Sequence, residues 1–153
     1  MKTQAVTELR SNDGTDRANI TEHDHVIKLI ARTPLFVSLD ATLREAAAIL
    51  TEESIGALLV RAPHGPAGVL SERDIVAALA EGADPDRDRA RDFMTPDIAS
   101  VPPTATILEA RDRMVENEIR HLLVSKDETT IGLVSMRDIL ALVPAARHEV
   151  RPQ

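Results

Sequence analysis

The 153 residues carry a formal net charge of −7 and no cysteine, which excludes disulfides, thiolate catalysis and thiolate metal sites. The acidic balance argues against a dedicated nucleic-acid surface, because affinity for a polyanion comes from clustered Lys and Arg neutralising phosphates. No apolar run approaches the roughly 18 residues that span a bilayer, and residues 1–25 are polar without a signal-peptide core, so no membrane partner is expected and the cytoplasm is the default compartment.

In chain order, residues 1–25 show no useful periodicity and read as a mobile N-terminal arm. A first unit, residues 26–80, contains a short strand near Val37 and a helix opened by the capping box Thr42-Leu-Arg-Glu45. Its apolar stripe is Leu43, Ala46, Ala47 and Leu50, at i, i+3, i+4 and i+7. Apolar runs at 57–60 and 68–70, separated by Pro63-His-Gly-Pro66, predict a β-hairpin. A second helix follows Ser71 and stops at Gly82. Residues 81–92, rich in Asp and Arg with Gly82 and Pro85, read as a solvated linker.

A second unit, residues 93–143, repeats the order. It has a strand near Val101, a capping box Thr106-Ile-Leu-Glu109, and a thinner stripe of Ile107, Ala110 and Met114. Runs at 122–124 and 131–134 flank Lys126-Asp-Glu-Thr129, and a helix after Ser135 stops at Pro144, leaving a tail over 144–153. Residues 37–79 align with 101–143 at a constant offset of 64 without a gap, and 16 of the 43 positions are identical. The chain is therefore a tandem β-α-β-β-α repeat, and units of about 60 residues bury so little apolar surface alone that two should pack together.

The segments Ile55-Gly-Ala-Leu-Leu-Val60 with Gly68-Val-Leu-Ser-Glu-Arg-Asp-Ile75, and Ile119-Arg-His-Leu-Leu-Val124 with Gly132-Leu-Val-Ser-Met-Arg-Asp-Ile139, resemble paired CBS (cystathionine beta-synthase) domains, the Bateman module. Phe93-Met94-Thr95 ahead of the second copy resembles that family's usual opening. Leu59 and Leu123 stand where the family often has Pro. The resemblance implies an α/β (α+β) fold of two repeats packed as a pseudo-twofold pair, commonly a homodimer. It also implies clefts between the repeats for adenosine-containing ligands such as AMP, ADP, ATP or S-adenosylmethionine, with no obligatory cofactor. Such modules regulate an effector enzyme or transporter, often in energy sensing; a stand-alone module would act in trans.

Ser71-x-x-Asp74 and Ser135-x-x-Asp138 have two readings. As helix-starting boxes they are worth about 1 kcal/mol each. As ligand contacts, the helix starts present free amides to a phosphate and the carboxylates accept from a ribose diol. By similarity to the family, the Asp takes the ribose and the Ser lies near the ribose or phosphate. Arg120 and His121 correspond to basic residues that reach a phosphate in the family, whereas the first copy has Gly56-Ala57, so the two clefts should be unequal. Which Asp they face is open. Arg73 and Arg137 complete the candidate nucleotide-binding set. Phe36 and Phe93 are the only aromatic residues, so a planar ligand would lie between aliphatic side chains.

No nucleophile with base and orienting group is legible, so the chain is not expected to be an enzyme. His23-x-His25 reads as a surface coincidence rather than a metal site, and His64 and His148 fall in a turn and in the tail. The competing reading is a ligand-free protein-interaction or dimerisation module.

Overall fold

A computed structural model describes residues 19–142. The rest of the expected arm and tail, with Pro144 and His148, lies outside them. The chain forms two compact units, one of Thr33–Ala99 and one of residues 19–32 together with 100–142.

The first-repeat unit contains β1 (Phe36–Ser38), α1 (Leu43–Glu52), β2 (Ala57–Ala62), β3 (Gly65–Ser71), α2 (Glu72–Ala80), α3 (Ala90–Phe93) and β4 (Thr95–Pro96). Its sheet has the order β1-β2-β3-β4, with β1 parallel to β2 and the remaining pairs antiparallel. The second-repeat unit contains a 3-10 turn (Val26–Leu29), β5 (Ser100–Val101), α4 (Ile107–Glu116), β6 (His121–Lys126), β7 (Thr129–Ser135) and α5 (Met136–Leu140), with sheet order β5-β6-β7. The α1 and α4 boundaries and both hairpins coincide at the offset of 64, including a bulge after Val60 and one after Val124.

Local chemistry sets these boundaries. Thr42 Oγ1 accepts from Glu45 N at 3.1 Å while Glu45 Oε2 accepts from Thr42 N at 2.7 Å, and Thr106 with Glu109 repeats both distances. Leu43, Ala46 and Leu50 are buried on α1, and Ile107, Ala110 and Met114 on α4; Ala47, expected in the first stripe, is only half-buried. Both helices stop in a Schellman arrangement without glycine. Ser54 and Glu118 take φ of 53° and 54°, and Ile55 N and Ile119 N donate back to Leu50 O and Met114 O at 3.0 and 2.9 Å. The hairpin turns differ. Asp127 and Glu128 both have positive φ, as a two-residue type I′ turn requires, whereas Pro63 cannot, and Gly65 supplies the positive φ there.

The segments ahead of each repeat depart from expectation. Residues 81–92, read as a solvated linker, close over α1: Leu43 N donates to Asp88 O (3.1 Å), Arg44 N to Pro85 O (3.0 Å) and Ala90 N to Ala41 O (2.8 Å). Ala90 is fully buried, and the Arg44 guanidinium pairs with Asp86, its Nη2 2.9 Å from Oδ2. Phe93-Met94-Thr95 enters β4, which pairs with β3 of the first repeat. Residues 19–25, expected in the N-terminal arm, lie with 26–32 in the second-repeat unit, where Val26 is fully buried and Ile20 nearly so. Hydrogen bonds from Lys28 and from Thr21 hold the Asp24 carboxyl down to about 2. The reason is the same in both units: the first amides of a helix have no partner within it, and a neighbouring carbonyl must supply one.

Gly68 and Gly132, identical in the repeat, are required by these segments. A Cβ at Gly68 would stand 2.6 Å from Thr95 O and 2.7 Å from Met94 Sδ; one at Gly132 would stand 2.6 Å from Ile30 Cγ2.

Candidate functional site

In the first-repeat unit β3 runs directly into α2, with Ser71 extended (φ −102°, ψ 163°) as N-cap. Ser71 Oγ accepts from Asp74 N at 3.2 Å, and Asp74 Oδ2 accepts from both Ser71 N and Ser71 Oγ at 2.8 Å. The capping reading is therefore correct, and it uses only one oxygen. Asp74 Oδ1 has no hydrogen bond among the described residues. Glu72 N donates to Gly56 O at 3.0 Å, tying the start of the helix to the turn before β2.

The second-repeat unit reproduces this arrangement. Asp138 N donates to Ser135 Oγ at 3.1 Å, and Asp138 Oδ2 accepts from Ser135 N and Oγ at 2.8 Å. Met136 N donates to Arg120 O at 2.8 Å. Asp138 is exposed where Asp74 is half-buried. The ladder pairs His121 with Ser135, so the two side chains leave the same face of the sheet. The basic pair thus adjoins the helix start of its own repeat. The Arg120 side chain is exposed without a bonded partner among the described residues, and Arg73 and Arg137 are exposed in the first turns of α2 and α5.

A further difference adds to that of Gly56-Ala57 against Arg120-His121. The first helical residue is Glu72 in one repeat and Met136 in the other. A Cβ at Gly56 would stand 3.9 Å from Glu72 Oε2, so the first junction carries two carboxylates beside a glycine. The second carries one carboxylate beside Arg120 and His121.

Among the described residues no three His, Asp or Glu side chains converge as metal ligands would, and no helix is long and apolar enough to cross a membrane. His23 is exposed, its Nε2 3.9 Å from Glu22 Oε1, and His25 precedes the 3-10 turn.

The chain belongs to the CBS-domain family, whose model matches residues 26–81 and 90–145. It is 33% identical over 125 residues to the mitochondrial CBS domain-containing protein CBSX3 of Arabidopsis thaliana, covering 78% of this chain and 59% of that protein. It is 33% identical over 105 residues to hypoxic response protein 1 of Mycobacterium tuberculosis, covering 67% and 73%. A CBS domain protein of Pyrobaculum aerophilum, solved in complex with AMP, is similar at 31% identity and a TM-score of 0.65, over 77% of this chain and 97% of that one. The chain spans 54–66% of the length of three of the curated relatives that it matches.

Proposed function

We propose that this CBS pair binds an adenosine-containing nucleotide at its Ser-x-x-Asp helix starts and regulates a partner enzyme or transporter in the cytoplasm. The observation that carries this reading is the divided use of each carboxylate: Oδ2 of Asp74 and of Asp138 holds the cap, and Oδ1 of each, without a hydrogen bond among the described residues, is the oxygen that would accept from a ribose diol. The AMP-bound state of the similar Pyrobaculum aerophilum protein supports the ligand class.

Phosphate belongs with the second repeat, where Arg120 offers bidentate donors; Glu72 and Asp74 together repel an anion at the first. Regulation requires that the ligand favour one conformation of the pair over another, since a ligand indifferent to conformation shifts nothing. The module itself takes no catalytic part.

Thermal shift against AMP, ADP, ATP and S-adenosylmethionine tests the reading. A ligand at a hundred times its dissociation constant stabilises by about 2.7 kcal/mol, a midpoint rise of roughly 5–11 °C for a chain of this size. At least one of Asp74→Ala and Asp138→Ala should abolish the shift, and Arg120→Ala should weaken the phosphorylated ligands more than S-adenosylmethionine. No shift from any of the four at millimolar concentration contradicts the proposal.

A homodimer belongs to the same reading. Val76 on α2 and Leu140 on α5 occupy the same repeat position and are 66% and 59% exposed, with Leu79 at 45%. A side chain of this size gains about 1.5–3 kcal/mol on full burial. Sedimentation should show a dimer at micromolar concentration that Val76→Asp with Leu140→Asp dissociates; a wild-type monomer contradicts this part.

A further inference from the structure

We infer that residues 20–30, although they precede the first repeat, form a strap that holds the second repeat folded, and that a matching strap from residues 85–96 holds the first. The observations are independent of any ligand. Val26 N donates to Ala105 O at 2.7 Å, while Ile107 N and Leu108 N, the first two amides of α4, donate to Asp24 O at 2.9 Å and Glu22 O at 2.8 Å. Without the strap those helix-start amides lose their acceptors, and Ile20, Val26 and Leu29 lose their burial. The polar side is fastened as well, by Lys28 to Asp24 within the strap and by Arg111 to Glu22, 3.4 Å apart, across to α4.

The offset of 64 relates the two straps at most of their contacts, the exception being Arg44 N and Leu108 N, which reach Pro85 O and Glu22 O, one position out of register. Asp24 and Asp88 accept from Ile107 N and Leu43 N; Val26 and Ala90 donate to Ala105 O and Ala41 O; Ile30 and Met94 lie over Gly132 and Gly68. The chain passes between units after Arg32 and again after Ala99. The first-repeat unit is thus continuous in sequence, and the second is interrupted by it. The family's stretches, 26–81 and 90–145, cut across both. Ile30 rests on Gly132, three residues before Ser135, so release of the N-terminal strap acts on the strand leading to the second helix start rather than the first.

Native-state hydrogen exchange on the full chain tests this. Val26→Asp should lower protection of the Leu122, Leu123 and Val124 amides by about tenfold or more while Leu58, Leu59 and Val60 stay near wild type, and Ala90→Asp should do the reverse. If Val26→Asp does not fold, Val26→Ala should give the same pattern at smaller amplitude. Loosening of the Leu58–Val60 amides by the Val26 variants, equal loosening of both sets, or no change in either overturns the inference.

Discussion

Truncating Leu58 to alanine is expected to cost about 2–5 kcal/mol of stability, a fall of roughly 4–20 °C in the thermal midpoint. Leu58 lies in the middle strand pair, fully buried in a cluster with Leu43, Ala46, Leu50 and Leu70. A shortened side chain there removes contacts on the helix side of the sheet and leaves a cavity that α1 and β3 cannot both move to fill. Leu122, its counterpart in the second unit, is equally buried, and its truncation should fall in the same range. Thermal denaturation followed by circular dichroism checks both, and a loss below about 1 kcal/mol at either site would contradict the core assignment.

Gly68→Ala is expected to cost about 1–3 kcal/mol, and more than Gly132→Ala. The added methyl at Gly68 meets backbone, Thr95 O at 2.6 Å, as well as the Met94 side chain, so β4 itself must move. At Gly132 every close atom belongs to the Ile30 side chain, which can turn aside. Denaturant titration of the two variants side by side decides the order, and a larger loss at Gly132 would contradict it. Neither cost arises from glycine's conformational freedom, since neither residue has a positive φ.

Those glycines show where sequence reading stops. Gly68 and Gly132 were legible as repeated residues, but the atoms that demand them, in Thr95, Met94 and Ile30, lie well away in sequence. A local pattern carries no trace of such a contact. The capping boxes at Thr42, Ser71, Thr106 and Ser135 were legible because a hydroxyl and a carboxylate three residues apart suffice to build them. The ends of α1 and α4 were not, since Ser54 and Glu118 take the left-handed conformation that glycine usually announces.

The same division holds at the candidate site. Ser71, Asp74, Ser135 and Asp138 were visible from their spacing. That the cap uses only Oδ2 of each carboxylate required the hydrogen bonds, and that His121 stands opposite Ser135 required the register. The inequality of the two junctions was anticipated from Gly56-Ala57 against Arg120-His121, and Glu72 against Met136 strengthens it. Residues 81–92 misled because a polar, charged composition is as suitable for an exposed strap as for a free linker; only buried Ala90 distinguishes them, and alanine is common in both.

Calorimetric titration of the full chain with AMP measures nucleotide binding at the two helix starts. Saturable binding is expected, weakened at least tenfold (about 1.4 kcal/mol) in Arg120→Ala and lost in a folded Asp74→Ala, Asp138→Ala double variant. Absence of saturable binding at millimolar AMP, or binding that the double variant leaves intact, would contradict it.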